Sequence, residues 1–144
     1  MSMVDVTAKP EVYREATARG LIKLKPETMK LIREGRVEKG DPLSIAKIAG
    51  ILAAKNTSSL IPLCHPLPLT SVELNTKIVD DSAVKVEATV KTRAQTGVEM
   101  EALTAVTVAL LTIWDMTKQY EKDERGQYPH TVILNIRVVR KIKH

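Results

Sequence analysis

Asp115 and Lys118 stand three residues apart, next to a stretch, Ala102 to Met116, that is almost wholly apolar. On a helix, a carboxylate and an ammonium at i and i+3 touch. In apolar surroundings such a pair has shifted proton affinities and suits acid–base work. A structural ion pair also explains the spacing. The second candidate is Leu60-Ile61-Pro62-Leu63-Cys64-His65-Pro66-Leu67, which holds the only cysteine beside one of three histidines. Its apolar residues suit an interior, while its two prolines exclude a regular helix or a central strand. A buried segment without a ladder must find other partners for its backbone. With one titratable imidazole it reads as a pocket floor. The plainer reading is a crossover loop around a satisfied core histidine.

The elements that must position these groups follow from periodicity. Residues 1–14 lack a pattern and are expected to form a mobile arm, leaving 15–144 as one domain. Residues 15–24 alternate, with Ala16, Ala18, Gly20, Ile22 and Leu24 on one face, and predict a strand. Pro26 opens a helix that Gly35 stops. Asp41 caps a second helix with Pro42 at its first position, and Ile45, Ile48, Ala49 and Leu52 give it an apolar face. Residues 71–79 and 83–92 alternate about Asp80-Asp81-Ser82 and predict a hairpin. A long helix runs from about Gly97 to about Asp123, with Thr96 and Glu99 spaced as a capping box. Val132, Leu134, Ile136 and Val138 form one face of a last strand. The order β-α-α-β-β-α-β predicts an α+β fold: a ferredoxin-like split βαβ layer, four antiparallel strands with helices on one face.

The long helix is apolar nearly all round, so one sheet cannot cover it. In a chain of 144 residues the expected cover is another subunit. Glu101 and Asp115 lie fourteen residues apart on it, roughly 21 Å at the helical rise. One small reacting centre in one chain does not suit both; if both are functional, the site draws them from different subunits, or one of them binds a distant part of the substrate.

Composition bounds the function further. A single cysteine cannot form an internal disulfide, and the first residues carry no signal pattern, which together predict a cytoplasmic protein. No run of about 18 apolar residues predicts a membrane span. The net charge of +5 favours an anionic partner. A small basic nucleic-acid-binding domain is therefore the alternative, weakened by the scarcity of aromatics for stacking bases: no Phe, only three Tyr and one Trp.

Five blocks in order resemble the cyclic pyranopterin monophosphate synthase family of molybdenum cofactor biosynthesis. They are Lys39-Gly40-Asp41, Ala49-Gly50-Ile51 with Ala53-Ala54-Lys55, Leu60 to Leu67, Thr96 to Thr104, and Asp115-Met116 with Lys118 and Lys122-Asp123. The likeness runs from Met3 to Asp123 and departs at the end, where a Gly- and Lys-rich tail is replaced by Asn135 to His144. The resemblance implies a phosphorus–oxygen lyase that converts 3′,8-cyclo-7,8-dihydroguanosine 5′-triphosphate to cyclic pyranopterin monophosphate and diphosphate. It implies a homohexamer, a trimer of dimers with sites at subunit interfaces. It implies Asp115 as the acid–base carboxylate, Lys118 as its neighbouring catalytic lysine, and Lys39 as a further catalytic lysine on a flexible loop. Leu63, Cys64, His65, Met100 and Glu101 match substrate-contacting segments, and Lys55 and Lys122 suit phosphate. No metal-ligand spacing is present, and no cofactor is expected, although a magnesium ion could accompany the phosphates.

Overall fold

The computed structural model describes residues 1–144. In chain order the elements are β1 (Val12–Lys23), α1 (Pro26–Arg33), α2 (Pro42–Lys55), α3 (Thr57–Leu60), β2 (Leu69–Ile78), β3 (Ala83–Ala94), α4 (Glu99–Glu121) and β4 (Val132–Lys143). The sheet order is β2-β3-β1-β4, with every pairing antiparallel. This is the expected ferredoxin-like layer.

Alternation builds the sheet's inner face. Ala16, Ala18, Ile22, Val84, Val86, Ala88 and Val90 are wholly buried against α4, whose Ala102, Ala105, Val106, Ala109, Leu110 and Ile113 are equally buried. Each large side chain among them contributes about 1.5–3 kcal/mol by leaving water. Small residues let the layers approach. A Cβ on Gly20 would stand 2.8 Å from Leu110 Cδ1.

Three expectations need correction. The stripe Ile45, Ile48, Leu52 on α2 faces outward, at 44%, 56% and 54% exposure, while Ala46, Gly50, Ala53 and Ala54 face α4. The small stripe wins because it alone permits close approach: an added Cβ at Gly50 would meet Ala105 O at 3.0 Å. α2 of the same chain therefore covers much of the side of α4 for which another subunit was expected, and the larger exposed apolar stripe belongs to α2, beside Leu111 of α4 at 52% exposure. Second, α4 begins at Glu99 with Val98 as its N-cap and no side-chain cap bond, so the Thr96–Glu99 box does not form. Third, the inward parity of β4 changes along the strand. Asn135 has φ +58 and the β1–β4 register shifts opposite Gly20, so Ile133 and Ile136, rather than Val132, Leu134 and Ile136, pack on the core.

Two junctions fix the ends of α4. Glu121, 1% exposed, accepts from Lys25 N at 3.1 Å, from Thr131 Oγ1 at 2.7 Å and from Thr28 Oγ1. Its carboxylate thereby ties α4 to the start of α1 and the approach to β4. At the other end, α3 and the turn after it satisfy the irregular segment: Ile61 N donates to Thr57 O and Cys64 N to Ile61 O.

Candidate active site

Near the C-terminal end of α4, Asp115 and Lys118 meet as the i, i+3 spacing requires, with Lys118 Nζ 3.1 Å from Asp115 Oδ1. Lys39 arrives from the loop between α1 and α2. Its Nζ donates to Asp115 Oδ2 at 3.3 Å and to Asp115 O at 3.1 Å. That loop is fastened to α4 itself: Glu38 N donates to Tyr120 Oη at 2.9 Å and Gln119 Nε2 to Glu38 Oε2 at 3.0 Å. Gly40 turns it at φ +123, a conformation L side chains rarely adopt. Lys118 first, then Lys39, holds the Asp115 carboxyl below the usual carboxylate range. The apolar setting expected for this pair is absent in the single chain. Asp115 is 59% exposed and each lysine 42%, because both lie on the outward side of α4.

The N-terminal end of α4 builds the second group. A cavity of about 460 Å³ is lined by Leu63, Cys64, His65, Glu99, Met100 and Val4, among others. The Leu60–Leu67 segment is not an interior one: Leu60 and Leu63 are 60% and 46% exposed, and the segment forms a wall of this open pocket. His65 Nε2 lies 2.7 Å from Val4 O. A carbonyl only accepts, so Nε2 carries the proton and Nδ1 is left for another partner. Glu101 is buried, its Oε1 has no partner, and Cys64 Sγ stands 3.9 Å from Oε2. Burial pushes the Glu101 carboxyl up; burial and then Glu101 push the Cys64 thiol up.

Asp115, Lys118 and Lys39 are thus brought together, and so are Leu63, Cys64, His65, Met100 and Glu101. The two groups are not joined within one chain, since fourteen residues of helix, roughly 21 Å, separate them. Lys55 ends α2 and Lys122 caps α4, both exposed. Two further cations went unnoticed in the sequence. Lys141 of β4 pairs with Glu99 at 2.9 Å, which brings the C-terminal strand to the rim of the cavity. Arg14, buried on β1, donates from Nη2 to Gln95 O at 3.2 Å and leaves Nε without a partner. Gln95 also donates to Thr7 O and Lys9 O, so the N-terminal arm lies against this end. Alternation alone places Arg14 inward with Ala16 and Ala18, a signal that a charge so buried has a task.

The ferredoxin-like layer thus carries a lysine–carboxylate–lysine cluster at one end of α4 and a cysteine–histidine pocket at the other, groups able to exchange protons and to attract an anion. The comparisons narrow this. The model of the MoaC family matches residues 3–143. The chain is 60% identical to a probable cyclic pyranopterin monophosphate synthase of Pyrococcus furiosus, over 99% of this chain and 91% of that protein. Proteins with the same description from Aeropyrum pernix and Sulfurisphaera tokodaii are 58% and 57% identical over 98% of the chain and 96% and 93% of their own lengths. The chain belongs to the MoaC family. Nothing in the comparisons favours a nucleic-acid-binding domain.

Proposed function

We propose that this protein is a cyclic pyranopterin monophosphate synthase, acting on 3′,8-cyclo-7,8-dihydroguanosine 5′-triphosphate and releasing diphosphate. The observation that carries the reading is the Lys39–Asp115–Lys118 cluster, on a chain whose relatives bear that name. Asp115, held anionic by two ammoniums, starts as a proton acceptor, and Lys118 and Lys39 are the adjacent donors. Ring opening and reclosure move protons between nitrogen and carbon-bound oxygen, a task this trio can divide with His65. Leu63, Cys64, Met100 and Glu101 hold the purine and ribose portion. Lys55 and Lys122 add positive charge for the triphosphate, with or without magnesium on the phosphates. Closing the cyclic phosphate depends on holding a hydroxyl in line with the α-phosphorus, so positioning supplies much of the rate.

The site is completed between chains of a cytoplasmic homohexamer. The outward stripe of Ile45, Ile48 and Leu52 supports a covering subunit, and the separation of Asp115 from Glu101 supports a shared centre. The hydrogen bonds of the N-terminal arm to His65 and Gln95 support its closing over the site. Incubating purified protein with the cyclised GTP intermediate must yield pyranopterin and diphosphate. A folded protein without turnover overturns the assignment. Mixing Asp115→Asn chains with His65→Ala chains under subunit exchange tests the shared site. Activity returns if the two residues come from opposite chains, and its absence despite confirmed exchange counts against that arrangement.

A further inference from the structure

The open face of the sheet, opposite α2 and α4, carries a second cavity of about 260 Å³. Arg19, Gly20, Lys77, Lys85, Asn135 and Arg137 line most of it. Four of these six are cations drawn from four different strands. Arg19 stands directly opposite Arg137 across β1 and β4, and Lys77 directly opposite Lys85 across β2 and β3. Like charges directly opposite each other destabilise a sheet, and this sheet has two such pairs side by side. None of the four enters the ion pairs of the chain, which use other residues. Glu87 stands opposite Arg19 on β3, and Asp81 of the neighbouring turn is engaged by Arg33 at 3.6 Å. One carboxylate against four cations leaves a surplus of three positive charges. The bulge lies in the same place: the β1–β4 register shifts at Gly20, and Asn135 takes its positive φ there. Bulges re-aim neighbouring side chains and concentrate near functional sites.

We propose that this cavity binds a small oligophosphate, a linear chain of two or three phosphates, between Lys77 and Lys85 on one side and Arg19 and Arg137 on the other. Strand spacing sets the size. Lys77 on β2 and Arg137 on β4 are three strand intervals apart, about 14 Å between backbones. A single orthophosphate reaches the middle cations only; a chain of two or three phosphates meets all four. Arginine forks suit phosphate oxygens, and lysines add point charge. A nucleic-acid backbone is a poorer fit, because Glu15, Glu73 and Glu87 interrupt the same face along the strands.

The probe is inorganic tripolyphosphate, followed by calorimetry and thermal melting with ionic strength matched by sodium chloride. The background is the Lys39→Ala/Lys55→Ala/Lys118→Ala/Lys122→Ala chain, which removes the four lysines assigned to the substrate. Tripolyphosphate is expected to bind this chain and raise its melting temperature, and orthophosphate to do so more weakly. Adding Arg19→Gln and Lys85→Gln should weaken binding about tenfold or more. Should that combination fail to fold, the exposed single change Lys77→Gln must weaken binding in the same direction. Four results overturn the proposal: a shift no larger than that of sodium chloride, binding indifferent to these substitutions, displacement of tripolyphosphate by duplex DNA, or a change in assembly mass on substitution. The last would make the face a contact between chains. None of these readouts depends on turnover, so the outcome is separate from that of the proposed activity.

Discussion

Gly50→Ala tests the packing that holds the site together. In a helix interior alanine is ordinarily better than glycine by about 1 kcal/mol. Here the sign should reverse. A Cβ at position 50 would stand 2.3 Å from Leu74 Cδ2 and 3.0 Å from Ala105 O. The leucine methyl can swing, but Leu74 is 6% exposed and packed in the core. The carbonyl belongs to the backbone of α4 and moves only if the helix does. Overpacking of this kind costs about 1–3 kcal/mol, and two obstructions place it in the upper part of that range. The net expectation is about 1–2 kcal/mol of destabilisation, or about 3–6 °C in melting temperature for a chain of this size. Melting at fixed protein concentration measures it. The double variant Gly50→Ala/Leu74→Ala should recover part of the Gly50 penalty, a favourable coupling of at least about 0.5 kcal/mol. Activity should fall as well, because α2 pushed off α4 carries the Lys39 loop away from Asp115. A Gly50→Ala protein as stable as the parent or more so would refute the reasoning about close approach.

Asp115→Asn keeps the shape but not the proton affinity; diphosphate release should fall at least about a hundredfold, with the melting temperature nearly unmoved because the side chain is exposed. A lost melting temperature with an intact rate per folded chain would make Asp115 a structural partner only. Glu101 has its carboxyl affinity raised by burial, so its contribution to stability is full below the unfolded value, about 4.3, and is lost as pH rises through the folded value. Glu101→Gln should flatten denaturation curves over that window and be the more stable protein at neutral pH; parallel profiles would rule this out. Glu121→Ala strands Lys25 N–H and the hydroxyls of Thr28 and Thr131, at about 3–5 kcal/mol in urea unfolding. Turnover per folded chain should persist, and a stability loss below about 1 kcal/mol would show that water replaces the carboxylate.

How much of this was legible in the sequence depends on whether the signal was local. The strands, Pro26, the Asp41 cap and the Asp80-Asp81-Ser82 turn are local, and each stands where expected: Asp41 Oδ1 accepts from Leu43 N, and Asp80 Oδ1 from Ser82 N. The α2 face was misread because two stripes share its helical period. Ile45, Ile48 and Leu52 have the greater hydrophobicity, but Ala46, Gly50 and Ala53 have the shape that fits α4, and shape is a property of the pair of helices. The Thr96–Glu99 box failed because α4 starts later than the spacing suggested: Val98 is the N-cap and Glu99 the first helical residue, and the Glu99 carboxylate pairs with Lys141 instead. β4 changed parity at two irregularities of its pairing with β1, between Thr17 and Ala18 and between Arg19 and Leu21, the second beside Asn135, whose left-handed conformation no hydrophobic pattern reveals. Within the site, Asp115 and Lys118 were legible from i, i+3 spacing. Lys39 was not, since its approach depends on a loop fastened by Tyr120 and Gln119, and only the family resemblance pointed to it. Lys141 lies beyond Asp123, where the likeness legible in the sequence ends; the family model in fact matches through residue 143.

α4 carries a group of candidate site residues at each end, and neither group is enclosed within the chain. One end presents three charged groups, all substantially exposed, with no pocket around them. The other presents a pocket with a buried unpartnered carboxylate oxygen and exposed Leu63 and Met100 at its mouth. Between the ends runs the outward side of α4, where Leu111 is 52% exposed, beside the outward stripe of α2. An isologous contact sets each patch against its own copy in reverse order. A twofold axis crossing α4 near its midpoint, Val108, would therefore carry the Asp115 end of one chain towards the Glu101 end of the other, and would bury the aliphatic stripes between them. The same substitution, Ile48→Glu, then distinguishes a scaffold from a catalyst built across chains. It removes no candidate site residue, yet it should break the assembly and the turnover together, with the monomer still folded by circular dichroism. Turnover persisting in a folded monomer would refute the shared centre, because a continuous helix of 23 residues cannot bring its two ends together and one end would then suffice.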